Sequence, residues 1–156
     1  MRLYHSSNVV VDHPDTRHSR QYLDFGRGFY LTTIHEQAVR YAQRFKRRGQ
    51  PAWLNTYKLS GDVLQWKILR FDSYDKEWLD FVARCRDGEN VDDYDMIVGG
   101  IANDKVILTL DRYFMDEISK EEALGLLKYE KPNIQYCIRS KRMLRECLTY
   151  IGSESV

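Results

Sequence analysis

The stretch Leu23-Asp24-Phe25-Gly26-Arg27-Gly28-Phe29-Tyr30-Leu31-Thr32-Thr33 decides how the rest of the chain is read. Two glycines one residue apart precede an aromatic pair, and a helix start follows. Glycine lets the backbone turn sharply and lets a ligand approach closely. Tyr30, straight after the turn, is placed to present an aromatic face to a planar group. Upstream, Leu3-Tyr4-His5-Ser6-Ser7-Asn8 forms a second polar-aromatic cluster. Two such clusters near one end of a small domain point to a pocket for a ligand with both phosphates and flat rings.

Working outward, Arg2 to Tyr4 and Phe29 to Thr32 read as short strands. Thr33 and Glu36 have capping-box spacing, ahead of a helix whose apolar face is Ile34, Ala38, Tyr41, Ala42 and Phe45. Trp53 to Leu59 alternates like a strand. Ser73 is the expected cap of a helix with Trp78, Leu79, Val82 and Cys85 inward, and Tyr94 to Val98 reads as a strand ending at Gly99-Gly100. Asn103 caps a helix through about Phe114. Ser119 and Glu122 form a second capping box before Ala123, Leu126 and Leu127. Ile134 to Ile138 is a strand, and Ser140 opens a last helix to Leu148. Strands and helices do not alternate strictly, so the expected class is α+β and not a doubly wound parallel sheet.

A chain of 156 residues, 43% hydrophobic and 13% aromatic, suits one globular domain over 1–156. There is no repeat, low-complexity tract or linker; Asp87-Gly88-Glu89-Asn90 reads as a surface loop. The formal net charge of +1 gives no bulk attraction to nucleic acid or a membrane. Local clusters at Arg44, Lys46, Arg47, Arg48 and at Arg139, Lys141, Arg142, Arg145 read as solvated helix faces or as a phosphate-attracting rim. Cys85, Cys137 and Cys147 lack metal spacing and read as buried apolar residues of a reducing compartment. With no signal peptide or long apolar run, a cytoplasmic location and no membrane partner are expected.

Several enzyme classes have no motif here. Gly26-x-Gly28 lacks the third glycine of a dinucleotide-binding turn, and no P-loop lysine is present. There is no H-E-x-x-H, no cysteine pair at zinc spacing and no G-x-S-x-G, so no metal site is expected. His13, His18 and His35 lie in polar sequence and read as surface residues.

Leu3-Tyr4-His5-Ser6-Ser7 resembles the first motif of ADP-ribosyltransferases, usually an apolar residue, Tyr, His, Gly, and Ser or Thr. Gly26-Arg27-Gly28-Phe29-Tyr30-Leu31-Thr32 resembles their second motif, and Pro132-Asn133-Ile134-Gln135-Tyr136-Cys137-Ile138 sits where the third falls. Over nearly its whole length the chain is similar to the bacterial domain of unknown function 3990 family, itself thought to belong with those enzymes. The matching stretches include Lys76-Glu77-Trp78-Leu79-Asp80-Phe81-Val82, Tyr94-Asp95-Met96-Ile97-Val98-Gly99, Ile118-Ser119-Lys120-Glu121-Glu122-Ala123-Leu124 and Leu127-Lys128-Tyr129-Glu130-Lys131-Pro132-Asn133.

The resemblance implies an ADP-ribosyltransferase-like split β-sheet core with flanking helices. It implies NAD as substrate and transfer of ADP-ribose to a nucleophile through an oxocarbenium-like transition state. His5 would bind a ribose hydroxyl; as a plain structural residue it would be a strand-end histidine with a backbone partner. Ser6 replaces the usual glycine, and its backbone N–H and C=O would hold the nicotinamide amide. Gly28 would let the ligand close in. Tyr30 would lie against the nicotinamide, or serve as a half-buried strand aromatic. Thr32 is open to a ligand contact or a helix contact. Tyr41 would sandwich the nicotinamide from the other side, or fill the helix's apolar face. Ala38 stands where a serine is common.

Gln135 stands where the family commonly has glutamate. An amide accepts a hydrogen bond but carries no charge to support a cationic transition state. Asp104 is the candidate replacement carboxylate, although an acid in a helix's first turn also suits the helix dipole. The set His5, Tyr30, Gln135 implies transfer of a single ADP-ribose to a protein, nucleic acid or small molecule. By family-level analogy it suits a bacterial toxin restrained by a small inhibitory partner protein. The alternatives are a non-catalytic NAD- or ADP-ribose-binding module and a protein-interaction domain.

Overall fold

The computed structural model describes residues 1–17, 23–89 and 93–156; His18 and Asn90, both read above as surface positions, lie outside them. In chain order the elements are β1 (Arg2–Ser7), β2 (Phe29–Leu31), α1 (His35–Arg47), β3 (Trp53–Leu59), a short 3-10 turn (Val63–Gln65), β4 (Ile68–Arg70), α2 (Lys76–Arg86), β5 (Met96–Ile101), α3 (Asp104–Phe114), α4 (Lys120–Leu127), β6 (Asn133–Ile138), α5 (Lys141–Cys147) and β7 (Leu148–Ser155). The class is α+β, as expected.

The strands form two sheets. One has three strands in the order β1-β3-β7, all antiparallel; the other has four in the order β2-β6-β5-β4. In the second sheet β4 and β5 run parallel, and the other pairs are antiparallel. An isolated antiparallel bridge, Tyr4 to Thr32, joins the two sheets.

Side chains alternate along each strand, so the four-stranded sheet buries both faces. One face carries Ile97 and Cys137 against Phe25, Trp78, Leu79, Val82, Val106, Leu110, Ala123 and Leu127, drawn largely from α2, α3 and α4. The other carries Phe29, Leu31, Met96, Val98 and Ile138 against Leu3 and Tyr57 of the first sheet and Met143, Leu144 and Cys147 of α5. All three cysteines are free and buried, matching their reading as small apolar residues. Helix α1 lies on the far side of the three-stranded sheet, where Ala38 and Ala42 are its buried residues.

Three caps form where expected. Asn103 accepts from the Val106 N–H, Ser140 from the Met143 N–H, and Ser119 with Glu122 makes a full capping box. Two do not. The Thr33–Glu36 box is absent: α1 starts after Ile34 with no side-chain cap. The neighbouring Thr32 hydroxyl takes the Ile34 N–H instead, at 3.1 Å. At α2 the cap is Asp75, accepting from the Trp78 N–H; Ser73 only reaches the Asp75 carboxylate, at 3.4 Å.

Other boundaries move. Gly99 and Gly100 lie inside β5, at positions where a Cβ would strike the Phe71 and Tyr74 side chains. Strand β1 continues to Ser7. Strands β4 and β7 were not anticipated, and the last helix ends one residue before Leu148. Ile34 and Leu126 are exposed, not inward. Gly88, with φ of 77°, closes α2 as a left-handed terminus.

Candidate functional site

The bridge at Tyr4 and Thr32 is where the site is built. Tyr4 donates its N–H to the Thr32 carbonyl (2.8 Å) and accepts the Thr32 N–H (3.0 Å). Backbone groups in an antiparallel strand point alternately to its two sides. Ser6, two residues on, therefore directs its N–H and C=O to the same side as Tyr4, away from β3. A continued ladder would set Ser6 opposite Tyr30. It does not continue. The Tyr30 carbonyl instead accepts from His5 Nδ1 at 2.8 Å, and the strands part. The imidazole acts as a wedge, and the Ser6 N–H and C=O on this side have no hydrogen-bond partner among the described residues.

The chemistry of His5 follows from that contact. A carbonyl oxygen only accepts, so Nδ1 carries the hydrogen and a neutral ring has a bare lone pair at Nε2. Burial pushes the imidazole below the ordinary histidine pKa, only partly offset by the Tyr30 carbonyl. The ring stays neutral near pH 7. Its flat face packs on Phe29, with centroids 4.3 Å apart. Nε2 has no hydrogen-bond partner among the described residues and is the acceptor this site offers.

Strand alternation sorts the other residues onto faces. Tyr4 and Ser6 point to α1: the Tyr4 ring meets His35 edge-on at 5.1 Å, and the Ser6 hydroxyl donates to the Ala38 carbonyl at 2.5 Å. The position that departs from glycine is thus tied to the position that departs from serine. Tyr30 turns to the α2–α4 side, parallel to Phe25 (6.5 Å, 7°) and opposite Cys137 in register. Its hydroxyl donates to the Gly26 carbonyl (2.6 Å) and accepts the Phe25 N–H (3.2 Å). The phenol therefore closes the turn that precedes it, where Gly26 has φ of 73°. Burial, and then the Cys137 thiol, hold it well above the usual tyrosine pKa, so it stays protonated.

Gln135 lies two residues before Cys137 on β6 and so shares the Tyr30 face. It is half-buried, and its amide has no hydrogen-bond partner among the described residues. Next to it a polar chain links α1 to the head of β6. Thr32 Oγ1 donates to Gln37 (2.7 Å), Gln37 donates to Asn133, and the Asn133 N–H donates to the Tyr74 hydroxyl (3.2 Å). Of the two roles open to Thr32, the structure shows the helix contact.

Tyr41 does not fill α1's apolar face, one of the two roles open to it. It is 49% exposed, edge-on to Phe45, with the Arg44 guanidinium 4.8 Å above its ring. Gly28 has a packing role that the sequence hid. A Cβ there would lie 2.5 Å from Cys137 Sγ and 3.0 Å from the Ile138 carbonyl, so only glycine lets β2 close on β6. Asp104 is exposed at the first turn of α3, beyond Ile101 and its partner Asn133. No hydrogen bond or ion pair joins it to His5, Tyr30 or Gln135 among the described residues.

Sequence reading missed Asp24. Its carboxylate is 8% exposed and accepts from Arg86 Nε (2.9 Å) and Nη2 (2.6 Å) and from the Ala102 N–H (2.7 Å). It bolts the glycine turn to α2 and to the end of β5. The one available signal was a carboxylate set between Leu23 and Phe25. Asn55 was also missed. Fully buried, it accepts from the Val11 N–H and Ser153 and donates to the His5 carbonyl, holding β1 and the loop after it.

Among the described residues no group of three or more His, Cys, Asp or Glu side chains could hold a metal ion, and no helix is long and apolar enough to cross a membrane. Residues 1–150 match the family model described as "Protein of unknown function (DUF3990)". The chain belongs to that family. No match was found among curated proteins or solved structures.

Proposed function

We propose that this protein is a mono-ADP-ribosyltransferase that uses NAD as substrate, its core an ADP-ribosyltransferase-like split sheet. The observation that carries the reading is the contact between His5 Nδ1 and the Tyr30 carbonyl at 2.8 Å, at the point where the two sheets part. It unites the histidine of the first motif with the tyrosine of the second, and it leaves two kinds of group fit for NAD. The Ser6 N–H and C=O at the strand edge match the paired acceptor and donor of a carboxamide. His5 Nε2 accepts from a ribose hydroxyl.

In the reaction the bond between ribose C1′ and the nicotinamide nitrogen breaks, and nicotinamide leaves neutral with the bonding electrons. The acceptor bonds to C1′ and releases a proton. The protein's work is to fix the ribose, hold the leaving group and exclude water. Gln135, an amide where the family commonly has glutamate, supplies no charge to the transition state, which favours one slow transfer over chain growth. A toxin restrained by a small inhibitory partner is the biological role that fits a stand-alone transferase of this kind.

A specific observation favours a second reading, a module that binds NAD without reacting. Gln135 is neutral, and Asp104 makes no contact with the His5–Tyr30–Gln135 group. Incubation with NAD labelled on its adenylate phosphate, together with chromatographic detection of free nicotinamide, separates the two. Release with label transfer to a macromolecule supports the transferase. Saturable NAD binding without release supports the module. Absence of both removes the NAD reading.

A further inference from the structure

Helix α1 carries an unneutralised basic face. From His35 to Ala52 the sequence has Arg40, Arg44, Lys46, Arg47 and Arg48 against a single acid, Glu36, in a chain whose total charge is only +1. The remainder of the protein therefore sums to a net negative charge. All five basic side chains are exposed, and none forms an ion pair among the described residues. The contrast with α5 is direct, where Arg142 is paired with Glu146. Arg40, Arg44, Arg47 and Arg48 follow the spacing of one helical face and span about 12 Å.

Two further features separate this face from an ordinary solvated one. Tyr41 stands among the arginines, 49% exposed, with Arg44 stacked 4.8 Å above its ring. An exposed aromatic interleaved with guanidinium groups is the construction on which unpaired bases stack while phosphates are neutralised beside them. The face also begins at the site. Ala38 receives the Ser6 hydroxyl and Gln37 reaches Asn133, so the basic residues start one turn from the open strand edge and lead away from it.

We infer that α1 docks a single-stranded nucleic acid and that nucleic acid is the ADP-ribose acceptor. The acceptor half of this inference rests on the NAD reading above; the docking half does not. Phosphates lie along the arginine stripe, and one unpaired base stacks on Tyr41. A base or sugar nucleophile is thereby brought toward ribose C1′, where it forms the new bond, loses its proton to solvent and displaces neutral nicotinamide.

The test uses the full chain and the variant Arg40→Ser/Arg47→Ser/Arg48→Ser, all three exposed and outside the proposed NAD contacts. Fluorescence anisotropy with a labelled 20-nucleotide single strand, without NAD, reads docking. The wild type should bind, and the variant should lose at least tenfold in affinity. The slope of log affinity against log salt should fall by about 2, since each single-strand phosphate contact contributes about 0.7. Equal affinity for the variant, no binding by the wild type, or tighter binding of the matching duplex overturns the docking claim. In parallel, adenylate-labelled NAD is incubated with lysate and digested by protease or nuclease. Label that nuclease removes and protease does not supports nucleic acid as acceptor; label removed only by protease overturns it. With NAD alone and no acceptor added, nicotinamide release by the variant should equal that of the wild type, because the substituted arginines lie outside the proposed NAD contacts. No release by the wild type defeats the transferase reading, and with it the acceptor claim, while the anisotropy still decides docking.

Discussion

The imidazole of His5 donates to the backbone carbonyl of Tyr30 at 2.8 Å, across 25 residues of sequence, and takes the position a strand hydrogen bond would occupy. One contact thus sets the tautomer of the histidine, fixes the backbone of the tyrosine and opens the edge at Ser6.

The buried imidazole has a signature in stability. Its folded pKa lies below the ordinary 6.5, with burial as the main cause. Above pH 6.5 both folded and unfolded chains hold it neutral, and it contributes nothing. Below pH 6.5 the unfolded chain takes up a proton that the folded chain refuses, so stability falls as pH drops. Urea midpoints from pH 7.5 to 5 should decline less steeply for His5→Gln than for the wild type. Parallel declines would mean that the ring is not held neutral.

Gln135 marks the missing charge. If its amide faces the ribose, Gln135→Glu supplies the carboxylate that supports an oxocarbenium-like transition state. Nicotinamide release should rise by ~10- to 100-fold, in line with the ~10²–10³ seen for single electrostatic groups in closed sites. Gln135→Ala should fall below the wild type. An unchanged rate in both variants would remove Gln135 from the site.

Gly28 is a packing residue. Gly28→Ala places a methyl against Cys137 Sγ and should cost about 1–3 kcal/mol in urea unfolding. Adding Cys137→Ala removes the sulfur but leaves the Ile138 carbonyl 3.0 Å away, so the double variant should fall short of additive loss. Additive losses would place the strain elsewhere.

Asp24 holds the glycine turn. Asp24→Ala strips the Arg86 guanidinium and the Ala102 N–H of their acceptor and should destabilise by about 2–4 kcal/mol. The Arg86 side chain is 24% exposed and regains some hydration, which keeps the loss at the lower end. Asp24→Asn keeps an oxygen for Ala102 and should cost less. A loss below about 0.5 kcal/mol, typical of plain surface changes, would contradict the bolt.

Local signals were legible in sequence. The caps Asn103, Ser119 and Ser140 act within one helical turn, as does the apolar face of α2. The Thr33 cap is absent because the helix starts one residue later, where the Thr32 hydroxyl, which donates to Gln37, accepts the Ile34 N–H. Strand β4 has three residues and a parallel partner 28 positions away, and β7 ends in the polar run Gly152 to Ser155; neither carries a pattern to read. At the site, the motifs singled out His5, Tyr30 and Gln135, and the fold brings their strands together. That His5 takes the Tyr30 carbonyl depends on where two sheets diverge, which no local pattern encodes. Nor could sequence spacing reveal that Tyr30's hydroxyl is spent on its own turn.

The central claim is that the open edge of β1 at Ser6 receives the nicotinamide carboxamide. Titration of the ¹⁵N-labelled protein with NAD, followed by amide resonances, tests it most directly. The account predicts a saturable downfield shift of the Ser6 amide, with smaller shifts along β1. A Ser6 amide that does not move at millimolar NAD would contradict it.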